Sequence, residues 1–443
     1  MMNYGRMRNA LALTGALLLV QPAVVWAQAA PPRAPARPAT RALPATGAMV
    51  RSYVAQKKVP GMVVVVGGPD WTSANAAGRV ATEATASPVT VDSLWRVYSM
   101  TKPITGMAAM MLVEDGKLKL DQPISDFIPG FKSMKVLTDP DTSLASRPAT
   151  RPITVRNLLT HTAGLGYSIV TKGPLLKEYE RLGIVPAAVN RQAEVAMAQA
   201  RPRSLAEFAD RVATLPLIAE PGTRWSYSIG LDVLGRVIEV ASGMSFEQFL
   251  QTRMFGPLGM RSTYWTVPQS EKGRFATNYA WAGDNLVPVD PAATSVWLSP
   301  PSFPYGGAGL VMSAGDYDRF LHMLQNGGTL DGRRVMKPET VALGMSDLLP
   351  NGVAFGGVDG ATGGQTGPKM GFGAGGSVYL ETLPGRPAKG TYGWGGAAGT
   401  VGFVDPVRQL RGTVMVNYFP ADRFPMRDDL VKALASDLAG PLG

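Results

Sequence analysis

Two side chains able to do nucleophilic chemistry stand three residues apart in the stretch VYSMTKPITG, Val97 to Gly106. In a helix, positions i and i+3 lie one turn apart on the same face, so the hydroxyl of Ser99 and the amine of Lys102 come within hydrogen-bond reach. A serine attacks only after a base takes its proton. A lysine buried at a helix start, its pKa lowered by desolvation and by the positive end of the helix dipole, can take that proton while neutral. The same N-terminus offers backbone N–H groups to a developing oxyanion. The four letters Ser-x-x-Lys also describe an ordinary helix cap followed by a solvated lysine, so the elements around them decide.

After Ser99, the apolar residues Ile104, Met107, Ala108, Met111 and Leu112 share one helical face and the run stops at Asp115-Gly116, which predicts an inward-packed amphipathic helix with Ser99 at its start. Upstream, Met49, Val50, Tyr53 and Val54 follow helical spacing over residues 47–57, and GMVVVVGG after Pro60 is a β-branched run of the kind found in buried strands. Residues 118–340 alternate loops with helical segments at 204–215, 231–241, 246–254 behind the cap Ser245, and 314–325. A Gly-rich stretch spans 352–376. Strand-like runs return at 400–404 and 412–418, and an amphipathic helix is expected over 426–438. Strands near both ends with a mostly helical middle predict an α/β (α+β) body, one sheet built from the two ends of the chain with a helical insertion.

At 443 residues the chain exceeds the roughly 250–300 at which one hydrophobic core stops growing, so two lobes are expected. The α/β lobe is assigned to about 46–115 and 340–443 and the helical lobe to about 116–339. Residues 1–27, with Arg6 and Arg8 ahead of an apolar run and small residues near Ala27, read as a signal peptide for export to the periplasm or outside the cell. Residues 28–45 read as an extended Pro/Ala/Arg linker. Removing Arg6 and Arg8 from the formal charge of +10 leaves +8, but the basic residues are scattered and no groove-reading motif accompanies them, so no nucleic-acid partner is expected. Nor is a stable membrane association expected once the leader is removed. With no cysteine and only two histidines, neither disulfides nor a zinc motif can be assembled, and no metal or other cofactor is expected. No Gly-x-Ser-x-Gly elbow occurs, which leaves a Ser-His-Asp hydrolase without its usual nucleophile setting.

Context settles the Ser-x-x-Lys ambiguity. The segments LWRVYSMTKPITGMAAMMLVEDGKLKLDQPISDFIP, LLTHTAGL, PGTRWSYSIGLDVLGRVIEVASGMSFEQFLQTRMFGPLGM and YGWGGAAGTVGFVDP resemble, in order and spacing, the serine β-lactamase and penicillin-binding-protein superfamily, most closely its family VIII carboxylesterase branch. The resemblance runs from about Gly47 onward and implies a β-lactamase/DD-peptidase-like fold, an antiparallel sheet flanked by helices with a mostly helical second lobe. It implies that Ser99 is the nucleophile, that Lys102 is its partner, and that Tyr227 in WSYS exchanges protons with nucleophile and leaving group; which of Lys102 and Tyr227 is the base stays open. His161 in LLTHTAGL is implied to be a buried, hydrogen-bonded residue that orders a loop, whereas His322 belongs to a helix surface or to packing between lobes.

Two departures from the β-lactamase pattern point to neutral esters. Where those enzymes carry a Lys-Thr-Gly triplet on the strand bordering the site, this chain has Trp394-Gly395-Gly396, so the cation that would grip a substrate carboxylate is replaced by an apolar ring. Where their tyrosine motif ends in asparagine, Ile229 stands, which cannot donate to an amide side chain. The backbone N–H groups of Ser99 and Ala397 are the implied oxyanion donors. The expected reaction is hydrolysis of a small-molecule ester through an acyl-enzyme. The alternatives are a β-lactamase, D-aminopeptidase or other amide hydrolase of the same fold, acyl transfer to an alcohol, and a non-catalytic penicillin- or peptidoglycan-binding protein.

Overall fold

The run Gly61–Gly67 is buried along its whole length because it lies at the centre of a sheet covered on both faces. Alternation sends Val63 and Val65 into one core and Met62, Val64 and Val66 into the other. Each such side chain, fully removed from water, contributes about 1.5–3 kcal/mol. This computed structural model describes residues 39–357 and 368–439. The expected signal peptide, residues 28–38 of the linker and residues 358–367 of the Gly-rich stretch lie outside the described residues.

The sheet has eight strands in the order Ala39–Thr40, Trp71–Gly78, Gly61–Gly67, Leu410–Met415, Val401–Asp405, Tyr392–Gly395, Ser377–Tyr379 and Met370–Phe372. Every neighbouring pair is antiparallel except the first. Strands far apart in sequence thus share one sheet, as the strand-like runs at the two ends of the chain imply. On one face pack the helices Pro44–Ala55 and Met426–Leu438, tied where the Asp437 carboxylate accepts from Ala45 N and Thr46 N at 2.7 and 2.8 Å. The opposite face receives Ala314–Gln325, capped by Ser313, whose hydroxyl accepts from Asp316 N. Tyr317 of that helix lies so close to the sheet that a Cβ on Gly402 would stand 2.3 Å from its ring, and its hydroxyl donates to Met100 O at 3.1 Å. The sheet thereby braces the turn that carries Ser99.

The helix after Ser99 runs over Thr101–Glu114, but it is not amphipathic: residues Thr101 through Leu112 are all buried. Its apolar residues lie around the whole circumference, so the expected one-sided stripe is a subset of a central helix. Three polar side chains in its first turns are accommodated by one loop. Lys102 Nζ donates to Gly307 O at 2.8 Å, Thr105 Oγ1 donates to Gly306 O at 2.6 Å, and Thr101 Oγ1 accepts from Leu310 N at 3.1 Å. Buried polar groups persist only when partnered in this way. Gly106 lets the helix press against residues 374–375, since a Cβ there would stand 2.1 Å from Ala374 O. Among the described residues no helix is long and apolar enough to cross a membrane.

Candidate active site

The strand Leu94–Arg96 delivers the chain to Ser99, paired antiparallel with Val311–Ser313. Arg96 anchors it from a fully buried position: Nε and Nη2 donate to Asp290 Oδ2 at 2.8 and 2.5 Å, and Nη2 also donates to Ser295 Oγ at 2.9 Å. The next step is strained. Tyr98 holds φ at 42°, the left-handed region that a bulky side chain rarely adopts, at a cost of about 1–3 kcal/mol. Its buried ring enforces this, wedged edge-on against Trp297 with the hydroxyl accepting from Asn278 Nδ2 at 3.0 Å. The outcome is a single tight turn, Tyr98–Met100, that presents Ser99 just ahead of the central helix.

Around Ser99 Oγ two side chains converge. Tyr227 Oη donates to it at 2.7 Å and Lys102 Nζ at 3.2 Å. Lys102 is fully buried, and its ammonium sits 4.6 Å from the centre of the Tyr227 ring and 5.4 Å from that of Tyr167. Trp394 Nε1 donates to Tyr227 Oη at 3.4 Å. The Ser99 hydroxyl is therefore within one proton transfer of both the amine and the phenol.

Tyr227 lies on the extended stretch before the helix Gly230–Ser242, and His161 pins it from both sides. Ser226 N donates to His161 O at 2.9 Å, and Ser228 N to His161 Nδ1 at 3.2 Å. With Nδ1 accepting, the network assigns the ring proton to Nε2. Burial, reinforced by the positive charge of Lys102, holds the His161 pKa well below the ordinary value, so the ring is neutral. It packs 4.9 Å from the Tyr227 ring and has no contact with Ser99 among the described hydrogen bonds. This is the buried, loop-ordering residue expected from sequence. His322 sits in the last turn of its helix, with Nε2 3.3 Å from Pro69 O.

The strand Tyr392–Gly395 forms the third wall. Trp394 is half-buried, its ring centre 5.8 Å from Tyr227 and 5.2 Å from Phe372. Gly395 turns the other way, toward Arg427, whose Nη2 would be 2.2 Å from a Cβ there, so it offers the site only backbone. Gly396 is pressed onto the nucleophile's own segment: a Cβ would stand 2.4 Å from Val97 O. Ala397 follows, exposed, and neither its N–H nor that of Ser99 makes a hydrogen bond among the described residues. Ile229 does not fit the expected substrate-contacting role. It is fully buried in the main core at the start of its helix, its N–H donating to Gly166 O at 3.1 Å, and it presents no surface to a ligand.

Sequence reasoning missed several neighbours. Tyr167, Trp225, Phe355 and Phe372 complete an aromatic cluster around Tyr227 and Trp394. Asp232, in the first turn of the helix that follows Tyr227, is fully buried and accepts from Gly307 N at 2.8 Å. Desolvation pushes its carboxyl up to about 7, against the opposing pull of Lys102. An acid amid the apolar run LDVLGRVIEV was the available signal, since a carboxylate is almost never fully buried without purpose.

The chain is similar to several known proteins. Protein Rv1367c of Mycobacterium tuberculosis (strain ATCC 25618 / H37Rv) is 35% identical over 342 residues, 75% of this chain and 79% of that protein. Esterase EstB of Burkholderia gladioli is 32% identical over 353 residues, 74% of this chain and 79% of its own. Among solved structures, EstCE1, a hydrolase with promiscuous acyltransferase activity, superposes with a TM-score of 0.72 at 26% identity, covering 88% of this chain and 97% of its own. The family model described as Beta-lactamase matches residues 47–436, and the chain belongs to that family.

Proposed function

We propose that the protein is a serine hydrolase of carboxylic esters, of the family VIII carboxylesterase type, working through an acyl-enzyme on Ser99. The observation that carries this is the convergence of Tyr227 Oη and Lys102 Nζ on Ser99 Oγ at 2.7 and 3.2 Å. Tyr227 and Lys102 form one proton-transfer unit. The Ser99 proton passes to that unit as Oγ attacks the ester carbonyl, and the unit returns it to the leaving alcohol when the C–O bond breaks. Water then gives a proton to the same unit as it attacks the acyl carbon, and the unit returns that proton to Ser99 Oγ when the acyl–Oγ bond breaks, releasing the acid and free Ser99. The unpaired N–H groups of Ser99 and Ala397 are the donors for the oxyanion in both steps.

The likeness to an esterase and to a hydrolase supports ester cleavage, and so does the Trp394 ring where a cation would favour anionic β-lactams. The acyltransferase activity named for EstCE1 supports a second reading, in which an alcohol replaces water in the last step with the same residues. Export, directed by residues 1–27, belongs to the proposal and is tested by sequencing the N-terminus of the protein recovered from outside the cytoplasm. The mechanism is tested with Ser99→Ala. This variant is expected to fold and to lose hydrolysis of p-nitrophenyl acetate and butyrate, with the mass of an acyl adduct on wild-type Ser99 seen after brief exposure to the ester. A Ser99→Ala protein as active as wild type would eliminate the assignment.

A further inference from the structure

Asp232 is sealed from water on the helix Gly230–Ser242, yet only half of its carboxylate is partnered. Oδ1 accepts from Gly307 N at 2.8 Å, while Oδ2 has no hydrogen-bond partner among the described residues. A buried acid with an unused acceptor is costly to keep. Its one partner is telling, because the residue whose N–H holds Asp232 also gives its carbonyl oxygen to Lys102 Nζ at 2.8 Å. A single glycine therefore links the acid to the amine beside Ser99.

The link is built tightly. A Cβ on Gly307 would stand 2.7 Å from Asp232 Oδ2, and one on Gly306 would stand 2.5 Å from Leu231 O, so residues 306–307 fit against this helix only as glycines. On the other side Thr105 Oγ1 and Thr101 Oγ1 bind Gly306 O and Leu310 N. The loop is clamped between two buried helices with Lys102 and Asp232 facing each other through it.

We infer that Asp232 is a positioning residue for the Ser99 chemistry: it locks the Gly307 peptide that aims Lys102 Nζ at Ser99, and it sets a carboxylate across that peptide from the Lys102 amine. The inference rests on the Ser99–Lys102–Tyr227 reading given above. The titratable groups around Asp232 are Lys102 on the central helix and the phenols of Tyr167 and Tyr305, with Tyr227 in turn beside Tyr167. Lys102 brings the opposite charge, and Arg201 lies on the far side of the Tyr305 ring. Because burial brings Asp232 to a pKa of about 7, the charge it places beside Lys102 appears within the working pH range.

Two variants separate the roles. In Asp232→Asn the amide oxygen still accepts from Gly307 N–H, so the geometry stays and only the charge goes. The step that the titration of Asp232 itself gives kcat/KM near pH 7 is expected to vanish, which shifts the acid limb, with the plateau kcat within about threefold of wild type. In Asp232→Ala the acceptor is lost as well, and the plateau kcat is expected to fall about tenfold with KM little changed. The experiment follows p-nitrophenyl butyrate hydrolysis and the rate of Ser99 labelling by a fluorophosphonate from pH 5 to 9, on the full chain. A fall of plateau kcat in Asp232→Ala together with a shifted limb in Asp232→Asn, in both assays, supports the inference. An Asp232→Asn limb superimposed on wild type overturns it, while wild-type labelling of Ser99 leaves the hydrolase reading standing. Wild-type protein that never labels on Ser99 overturns both.

Discussion

Replacing Tyr227 by phenylalanine removes one oxygen from the centre of the site and almost nothing else. The ring is buried at 4% exposure between His161, Tyr167, Trp225 and Trp394, and phenylalanine keeps all four contacts. On the stability side, one hydrogen bond to Ser99 is lost at 2.7 Å, and Trp394 Nε1, already long at 3.4 Å and half-exposed, can turn to water. A net loss of about 0.5–1.5 kcal/mol follows, a melting shift of a few degrees at most in a chain this long. On the catalytic side the loss is of another size. A positioned proton-transfer group is worth about 10²–10⁴-fold, or about 3–5 kcal/mol of transition-state stabilisation. The assay is kcat and kcat/KM for p-nitrophenyl butyrate beside a thermal melt on the same preparation. A Tyr227→Phe enzyme within about threefold of wild type would refute the claim that the phenol moves a proton and would leave Lys102 to act alone.

Trp394→Lys restores a cation where the β-lactamase pattern has one, and is expected to raise the ratio of nitrocefin to p-nitrophenyl butyrate turnover about tenfold; an unchanged ratio would show that Trp394 does not set specificity. Arg96→Met leaves Asp290 buried with its main counter-charge gone, so a loss of about 3–5 kcal/mol is expected from urea unfolding. A loss below about 1 kcal/mol would mean the ion pair does not anchor the strand to Ser99. Asp232 adds a pH signature. Its folded pKa is raised from 3.8 to about 7, so the folded state holds the proton more tightly and this group's contribution to stability declines as pH rises from about 4 through 7. The decline is on the order of 4 kcal/mol at about 1.4 kcal/mol per pKa unit. Comparing urea midpoints at pH 4.5 and 7.5 in wild type and Asp232→Asn checks this, and parallel pH dependence in the two would contradict it.

What the linear chain determined on its own was local. The β-branched run at Gly61–Gly67 and the helices at Ala314–Gln325 and Met426–Leu438 follow from periodicity and capping residues, which act over a few positions. The Ser-x-x-Lys pairing is local too, since three residues on a helix set its geometry. Tyr227 was legible only through its flanking motif, because 128 residues separate it from Ser99 and nothing in the letters brings them to 2.7 Å.

The tertiary structure decided the rest. Ile229 reads as a candidate contact from its place in the motif, but packing turned it into the core. The central helix reads as one-sided, yet strands and helices cover it on all sides, so even Thr101, Lys102 and Thr105 had to find partners in a loop 200 residues away. Asp232 stands out in the letters only as an acid in an apolar run, because its contact with the glycine at position 307 joins two segments that periodicity cannot connect. Short-range preference writes the elements; desolvation and the partnering of every buried polar group choose which side chains end up facing one another.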